Sequence, residues 1–149
     1  MKITCYLSWL ASSLILLILT AGCSLLPAST PSLSPKSLSG TEWQLIAYGD
    51  PGALQFALED HRPTLKFDET TLGGSSGCNS YGGDYTRKDE RISVGDLAST
   101  LMACLDDGVM EQESAYLSIL SQVEKVQFAG DSLVLSGPVS ELHFVPLVP

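Results

Sequence analysis

The sequence predicts a mainly β domain: a β-barrel or strongly curved sheet with a single helix packed on it. Short runs of alternating apolar and polar residues recur from Glu42 to Val145, separated by Gly, Asp and charged turn residues. One stretch, Met110–Val123, is free of Gly and Pro and spaces its apolar residues as a helix does. The 110 residues from Gly40 to Pro149 suit one domain with one core. A barrel or curved sheet covered by one helix uses all of these pieces.

Taken in order, Glu42–Ala47 (EWQLIA) is the first strand. Thr64–Phe67 alternates and ends at the turn Asp68-Glu69. Leu72–Ser76 is Gly-rich and reads as an edge or bulged strand. Gly82–Thr86 leads into a charged turn, Arg87–Glu90, and Arg91–Val94 resumes beyond it. Within Met110–Val123, Tyr116, Leu117, Leu120 and Val123 share one helix face, with Glu111, Gln112, Ser118 and Gln122 on the other. Asp106-Asp107-Gly108 is placed to cap the helix and oppose its dipole. Lys125–Ala129, the turn Gly130-Asp131 and Ser132–Leu135 form a hairpin, and Glu141–Val145 is the last strand. That makes seven or eight strands, with strand placement between Gly49 and His61 left open.

Ahead of the domain, residues 14–23 read LILLILTAGC, and Lys2 is the only charge before them. An apolar run, two small residues and one cysteine are what a lipoprotein signal needs. Residues 1–22 are then the signal peptide and Cys23 is the lipidation site. Thr20 stands where such signals usually carry Leu. The competing reading is an uncleaved transmembrane anchor. Leu14–Leu19 is short for that, since a spanning helix wants about 20 mainly apolar residues. Both readings place the domain in the cell envelope, outside the cytoplasm. Two or three acyl chains such as palmitate on Cys23 hold firmly, because each buried methylene contributes roughly 0.8 kcal/mol. Ser24 is not the Asp that retains lipoproteins at an inner membrane, so the outer membrane is expected where the source has two.

Residues 23–39 continue as a Ser/Pro-rich tether, with Pro27, Pro31 and Pro35 at every fourth place. The sixteen residues 24–39 at about 3.1 Å each would reach roughly 50 Å. Without the signal the chain has 7 basic and 17 acidic residues, a formal charge of −10. Such a field argues against nucleic acid and anionic headgroups as long-range partners. It serves solubility, or a cationic partner.

Few residues suggest chemistry. With Cys5 and Cys23 accounted for, Cys78 and Cys104 form an even pair in an exported domain, and a disulfide is expected. Two free thiols or a redox pair are the alternatives, the latter disfavoured because the spacing is far from Cys-x-x-Cys. His61 beside Arg62-Pro63 suggests an exposed turn, and His143 between Leu142 and Phe144 faces out if they face in. Cys78, Cys104, His61 and His143 match no zinc spacing. Gly73–Gly77 lacks the Lys and Ser/Thr of a phosphate loop, and Asp106, Asp107 and Glu111 lack EF-hand spacing. No nucleophile elbow is present. No cofactor, metal or catalytic set is expected.

Gly77-Cys78-Asn79, Tyr81, Tyr85, Thr100-Leu101-Met102-Ala103-Cys104, Glu113–Leu117, Leu120 and Gly130–Leu135 together resemble the META domain, the family of HslJ-like heat-inducible envelope proteins. The opening Leu38–Leu45, with Trp43, is similar to that family's start. The resemblance spans Leu38 to about Val145 and makes Trp43, Gly77, Cys78, Asn79, Thr100, Met102, Cys104, Glu113 and Leu120 its motif residues. It implies a lipocalin-like barrel or half-barrel with one helix, residues 40–149 as the domain, no established enzyme activity, and a general link to stress response. Two functions remain in view. One is a non-catalytic envelope lipoprotein that binds an apolar ligand or protein segment, with Trp43, Phe67, Tyr81, Tyr85 or Phe128 on a concave surface or else filling the core. The other is an interaction or inhibitor module whose acidic loops, Asp84–Glu90 or Asp106-Asp107, meet a basic partner.

Overall fold

The computed structural model describes residues 37–147. The expected signal peptide, the expected lipidation site Cys23 and nearly all of the expected tether lie outside the described residues. Leu38, assigned to the tether by composition, is only 2% exposed and belongs to the core. Its carbonyl accepts hydrogen bonds from the backbone N–H and the hydroxyl of Thr41.

Ten strands and one α-helix are present among these residues: β1 (Thr41–Asp50), β2 (Ala53–Phe56), β3 (Thr64–Phe67), β4 (Thr71–Ser75), β5 (Ser80–Lys88), β6 (Arg91–Val94), β7 (Ala98–Ser99), α1 (Val109–Leu120), β8 (Lys125–Ala129), β9 (Ser132–Ser136) and β10 (Glu141–Pro146). Neighbouring strands run antiparallel in the order β10-β9-β8-β6-β5-β4-β3-β1, and β10 pairs back onto β1. The result is a closed eight-stranded barrel. β2 and β7 are additions outside the ring, paired to β1 and β5. Among the described residues no helix is long and apolar enough to cross a membrane.

Alternation explains why these segments close. Along β9 and β10, Leu133, Leu135, Leu142 and Phe144 are all buried, with the intervening residues turned outward. His143 accordingly faces out and holds Glu141 Oε1 at 2.6 Å. β1 is long enough to serve three neighbours, β10 along one edge and β3 then β2 along the other, and its register against β10 shifts between Leu45 and Ala47, a bulge that bends the strand. The glycines of β4 allow close approach: a Cβ on Gly74 would collide with the Thr64 carbonyl.

The interior is built around Tyr116. Its ring packs edge-on against Tyr81 and Phe144, with centroids 5.6 and 6.4 Å away, and its hydroxyl bonds that of Tyr81. Burial pushes both phenols above the ordinary tyrosine range. Phe67 meets Tyr85 edge-on at 5.1 Å. Trp43, Phe67, Tyr81 and Tyr85 are therefore core residues, and Phe128 is half-buried beneath Arg87. The aromatic set does not line an open concave surface.

The helix departs from its sequence reading in three ways. It ends at Leu120, so Val123 is buried in the segment beyond it. Its N-cap is Gly108 in the left-handed conformation, with no side-chain cap from Asp106 or Asp107. And Gln112, expected on the solvent side, is 1% exposed. Burying an amide costs free energy unless it is bonded, and Gln112 has partners: Oε1 accepts from the Leu58 N–H at 2.7 Å and Nε2 donates to the His61 carbonyl at 2.7 Å. The helix thus ties down the very segment, Gly49–His61, where the sequence leaves strand placement open.

Candidate functional site

The motif residues converge on one rim of the barrel, where the β4–β5 connection meets the segment between β7 and α1. Cys78 and Cys104 are joined by a disulfide, with Cα atoms 6.0 Å apart. Asn79, on the adjoining residue, is 1% exposed and works as a two-sided clamp. Its Oδ1 accepts from the Thr100 hydroxyl and the Met102 N–H, both at 2.7 Å. Its Nδ2 donates to the Met102 carbonyl at 3.1 Å and to Glu113 Oε1 at 2.7 Å. Both lone pairs and both amide protons of its side chain are thus taken up on protein atoms.

Glu113 reaches this clamp from the second turn of α1. Its Oε2 accepts from the Ser76 hydroxyl and, at 2.8 Å, from the Asn79 backbone N–H. Burial raises the carboxyl pKa, but bonds from Ser76, from the side chain and backbone of Asn79, and from the Cys78 backbone outweigh it. The net effect holds Glu113 below the usual carboxylate range. A buried carboxylate supplied with that many donors is a fastening and leaves little basicity for proton abstraction.

Gly77 shows why this turn needs glycine. Its φ is +113°, and a Cβ there would lie 2.9 Å from the His61 carbonyl oxygen and 3.3 Å from Gln112 Nε2. Gly77→Ala is expected to cost about 1–3 kcal/mol of stability, measured by urea denaturation; an unchanged midpoint would mean that the turn yields freely. His61 is half-buried and not in an open turn. Its Nδ1 lies 3.2 Å from the Gly77 carbonyl and its Nε2 lies 3.5 Å from Asp106. Asp106, read from sequence as a cap, faces His61 instead.

What this framework carries is apolar. Leu101 is 97% exposed, Met102 58% and Leu105 95%. No charge occurs from Ala98 to Leu105, and the exposed acids Asp106 and Asp107 follow at once. Leu58 borders the same rim, close to Gly108. Bare leucines on a floppy loop would collapse onto the barrel. Here the Asn79 clamp grips the Thr100 hydroxyl and the Met102 backbone, the Thr100 N–H bonds the Ser80 carbonyl, and the disulfide anchors Cys104, so the loop is held with its side chains out.

The structure therefore brings Gly77, Cys78, Asn79, Thr100, Met102, Cys104 and Glu113 together. Trp43 and Leu120 sit apart in the core, each 3% exposed or less. Sequence reasoning missed Ser76 and Gln112. Neither lies in an amphipathic pattern that distinguishes it, and each became legible only through its distant partner. Among the described residues no three of His, Cys, Asp and Glu are gathered as a metal site.

The chain is similar to a Burkholderia xenovorans protein solved by NMR, at 28% identity and TM-score 0.64 over 75% of this chain and 85% of that one. It is also similar to a second NMR structure, at 20% identity and TM-score 0.58, covering 74% and 92%. A crystal structure of a DUF4847 family protein from Bacteroides vulgatus aligns at 11% identity and TM-score 0.51, covering 72% and 93%. These last two likenesses speak for the fold alone. No curated protein matches the sequence. The META domain model matches residues 36–148, which include the whole barrel, the disulfide and the Asn79–Glu113 clamp; the chain belongs to the META domain family.

Proposed function

We propose that this protein is a non-catalytic lipoprotein of the cell envelope, a binding module with a stress-protective role, tethered through lipid on Cys23. Its contact surface is the braced loop from Thr100 to Asp107. The carrying observation is the exposure of Leu101 and Leu105, 97% and 95%, on a backbone fixed by a disulfide and a buried clamp. Exposed leucines are ordinary singly, but three apolar side chains held outward by dedicated bonds are a docking feature. Burying them would contribute roughly 1.5–3 kcal/mol each.

The acids that follow refine the reading. Asp106 and Asp107 beside the leucines suit a protein partner whose apolar pocket is bordered by Lys or Arg, and they oppose insertion among anionic headgroups. The interaction-module and apolar-segment readings thus become one. Photo-cross-linking in the native envelope tests this. A benzoylphenylalanine at Leu101 or Leu105 is expected to give one discrete protein adduct. The same label at Glu69, on the β3–β4 turn, gives none, and adding D106N/D107N weakens the adduct. Equal labelling from Glu69, adducts to lipid alone, or indifference to D106N/D107N would refute the reading.

A further inference from the structure

On the outside of the barrel, away from the apolar loop, three cations of this acidic domain are gathered. Lys88, Arg91 and Lys125 are all exposed. Strand register sets them side by side: Lys88 is opposite Arg91 across β5 and β6, and Arg91 is opposite Lys125 across β6 and β8. Directly opposed residues share a face, with Cβ atoms about 4.5–5.5 Å apart, and like charges so placed destabilise a sheet. The row borders an open groove of about 520 Å³.

Seventeen acids were available to neutralise this row. Lys66 elsewhere does find Glu42 and Asp68, at 3.7 and 3.8 Å. Asp89 and Glu90 form the turn between β5 and β6, and Glu124 precedes Lys125 on the groove's rim. Yet among the described residues Lys88, Arg91 and Lys125 form no ion pair with a carboxylate. One step along the same face, Thr86 and Ser93 stand opposite each other and bring two exposed hydroxyls to the groove. A fork-shaped guanidinium, two ammonium groups and two hydroxyls on one surface are donors for tetrahedral oxyanions. A local conflict of charge that the fold does not relieve is the kind of inconsistency found at functional positions.

We infer that this groove is a binding site for a polyanion carrying two or more phosphate groups, either free in solution or borne on a lipid or saccharide headgroup. The row's spacing lets neighbouring cations engage successive phosphates. The net charge of −10 does not forbid this. At about 0.15 M salt the Debye length is about 8 Å, so distant acids are screened while cations in contact with the ligand are not. Binding is short-range and gains nothing from steering.

Titration of the full-length protein in neutral detergent with inorganic tripolyphosphate, followed calorimetrically at about 0.15 M salt, is the test. Wild type is expected to bind, R91Q/K125Q at least ten-fold more weakly, and K66Q like wild type. The thermal midpoint of R91Q/K125Q is expected at or above that of wild type without ligand, since the double change removes a repulsion. No binding by wild type, undiminished binding by R91Q/K125Q, an equal loss in K66Q, or a lowered midpoint in R91Q/K125Q would overturn the inference. Competition by cardiolipin, whose headgroup carries two phosphates, in mixed micelles, and not by phosphatidylcholine, would assign the phosphates to a headgroup; its absence, with tripolyphosphate still bound, would assign them to a soluble ligand.

Discussion

Replacing Cys78 and Cys104 together by alanine is expected to lower the thermal midpoint by about 15 °C or more. The bond spans 26 residues. Chain entropy for a loop of that size gives about 3.5 kcal/mol, and in a domain near 100 residues each kcal/mol moves the midpoint by about 4–8 °C. The bond closes β5, β6 and β7 into one covalent loop, so its removal frees the unfolded chain across the middle of the barrel. It also releases one of the three points that hold the apolar loop. Amide exchange from Thr100 to Asp107 should quicken in the double variant beyond what the lower global stability accounts for. Calorimetry and exchange together check the expectation, and an unmoved midpoint would mean that the bond contributes nothing to folding.

Glu113→Ala is the second large effect. It strips the partner from the Asn79 N–H and one proton of the Asn79 amide, both in a buried setting, and leaves the Ser76 hydroxyl only the Asn79 carbonyl at 2.8 Å. Leaving buried donors unsatisfied costs about 1–3 kcal/mol apiece, so a loss of about 3 kcal/mol or more is expected in urea denaturation. Glu113→Gln keeps the shape but turns an NH₂ toward groups that themselves donate, and should lose about 2 kcal/mol.

The pH dependence separates charge from shape. The native carboxyl pKa lies below the unfolded value of 4.5, so the unfolded state takes up a proton first on acidification. The carboxylate's contribution is complete above that unfolded pKa and is lost as the pH falls through the native one. The stability gap between wild type and Glu113→Gln should therefore be widest near neutrality and narrow below about pH 4.5. A gap that stays constant across that range would show that the negative charge is not what the clamp uses.

The elements most legible in the sequence are those with one buried face and sharp punctuation. Arg91–Val94 and Lys125–Ala129 match their strands to the residue, because alternation and charged or Gly-Asp turns bound them on both sides. β2 is not legible because its residues are largely exposed and show no alternation, and β7 because Ala98-Ser99 is only two residues long and carries no large apolar side chain. Gln112 was placed outside by polarity, yet its two long-range bonds settle it inside. The site divides in the same way. The motif residues could be named from a family resemblance. That Asn79 grips both Thr100 and Met102 while Glu113 grips Asn79 depends on contacts between residues more than twenty positions apart, which local pattern does not encode.

The joints of the ring are uneven. β1 and β10 are laced from Trp43 opposite Pro146 to Gly49 opposite Glu141. β6 and β8 share a single register pair, Arg91 with Lys125, flanked by backbone bonds from Ile92 to Glu124 and from Val126 to Glu90. A hoop so stitched has a preset place to yield: under thermal or mechanical load it should gape at β6–β8 first, while the laced joint of β1 and β10 stays shut.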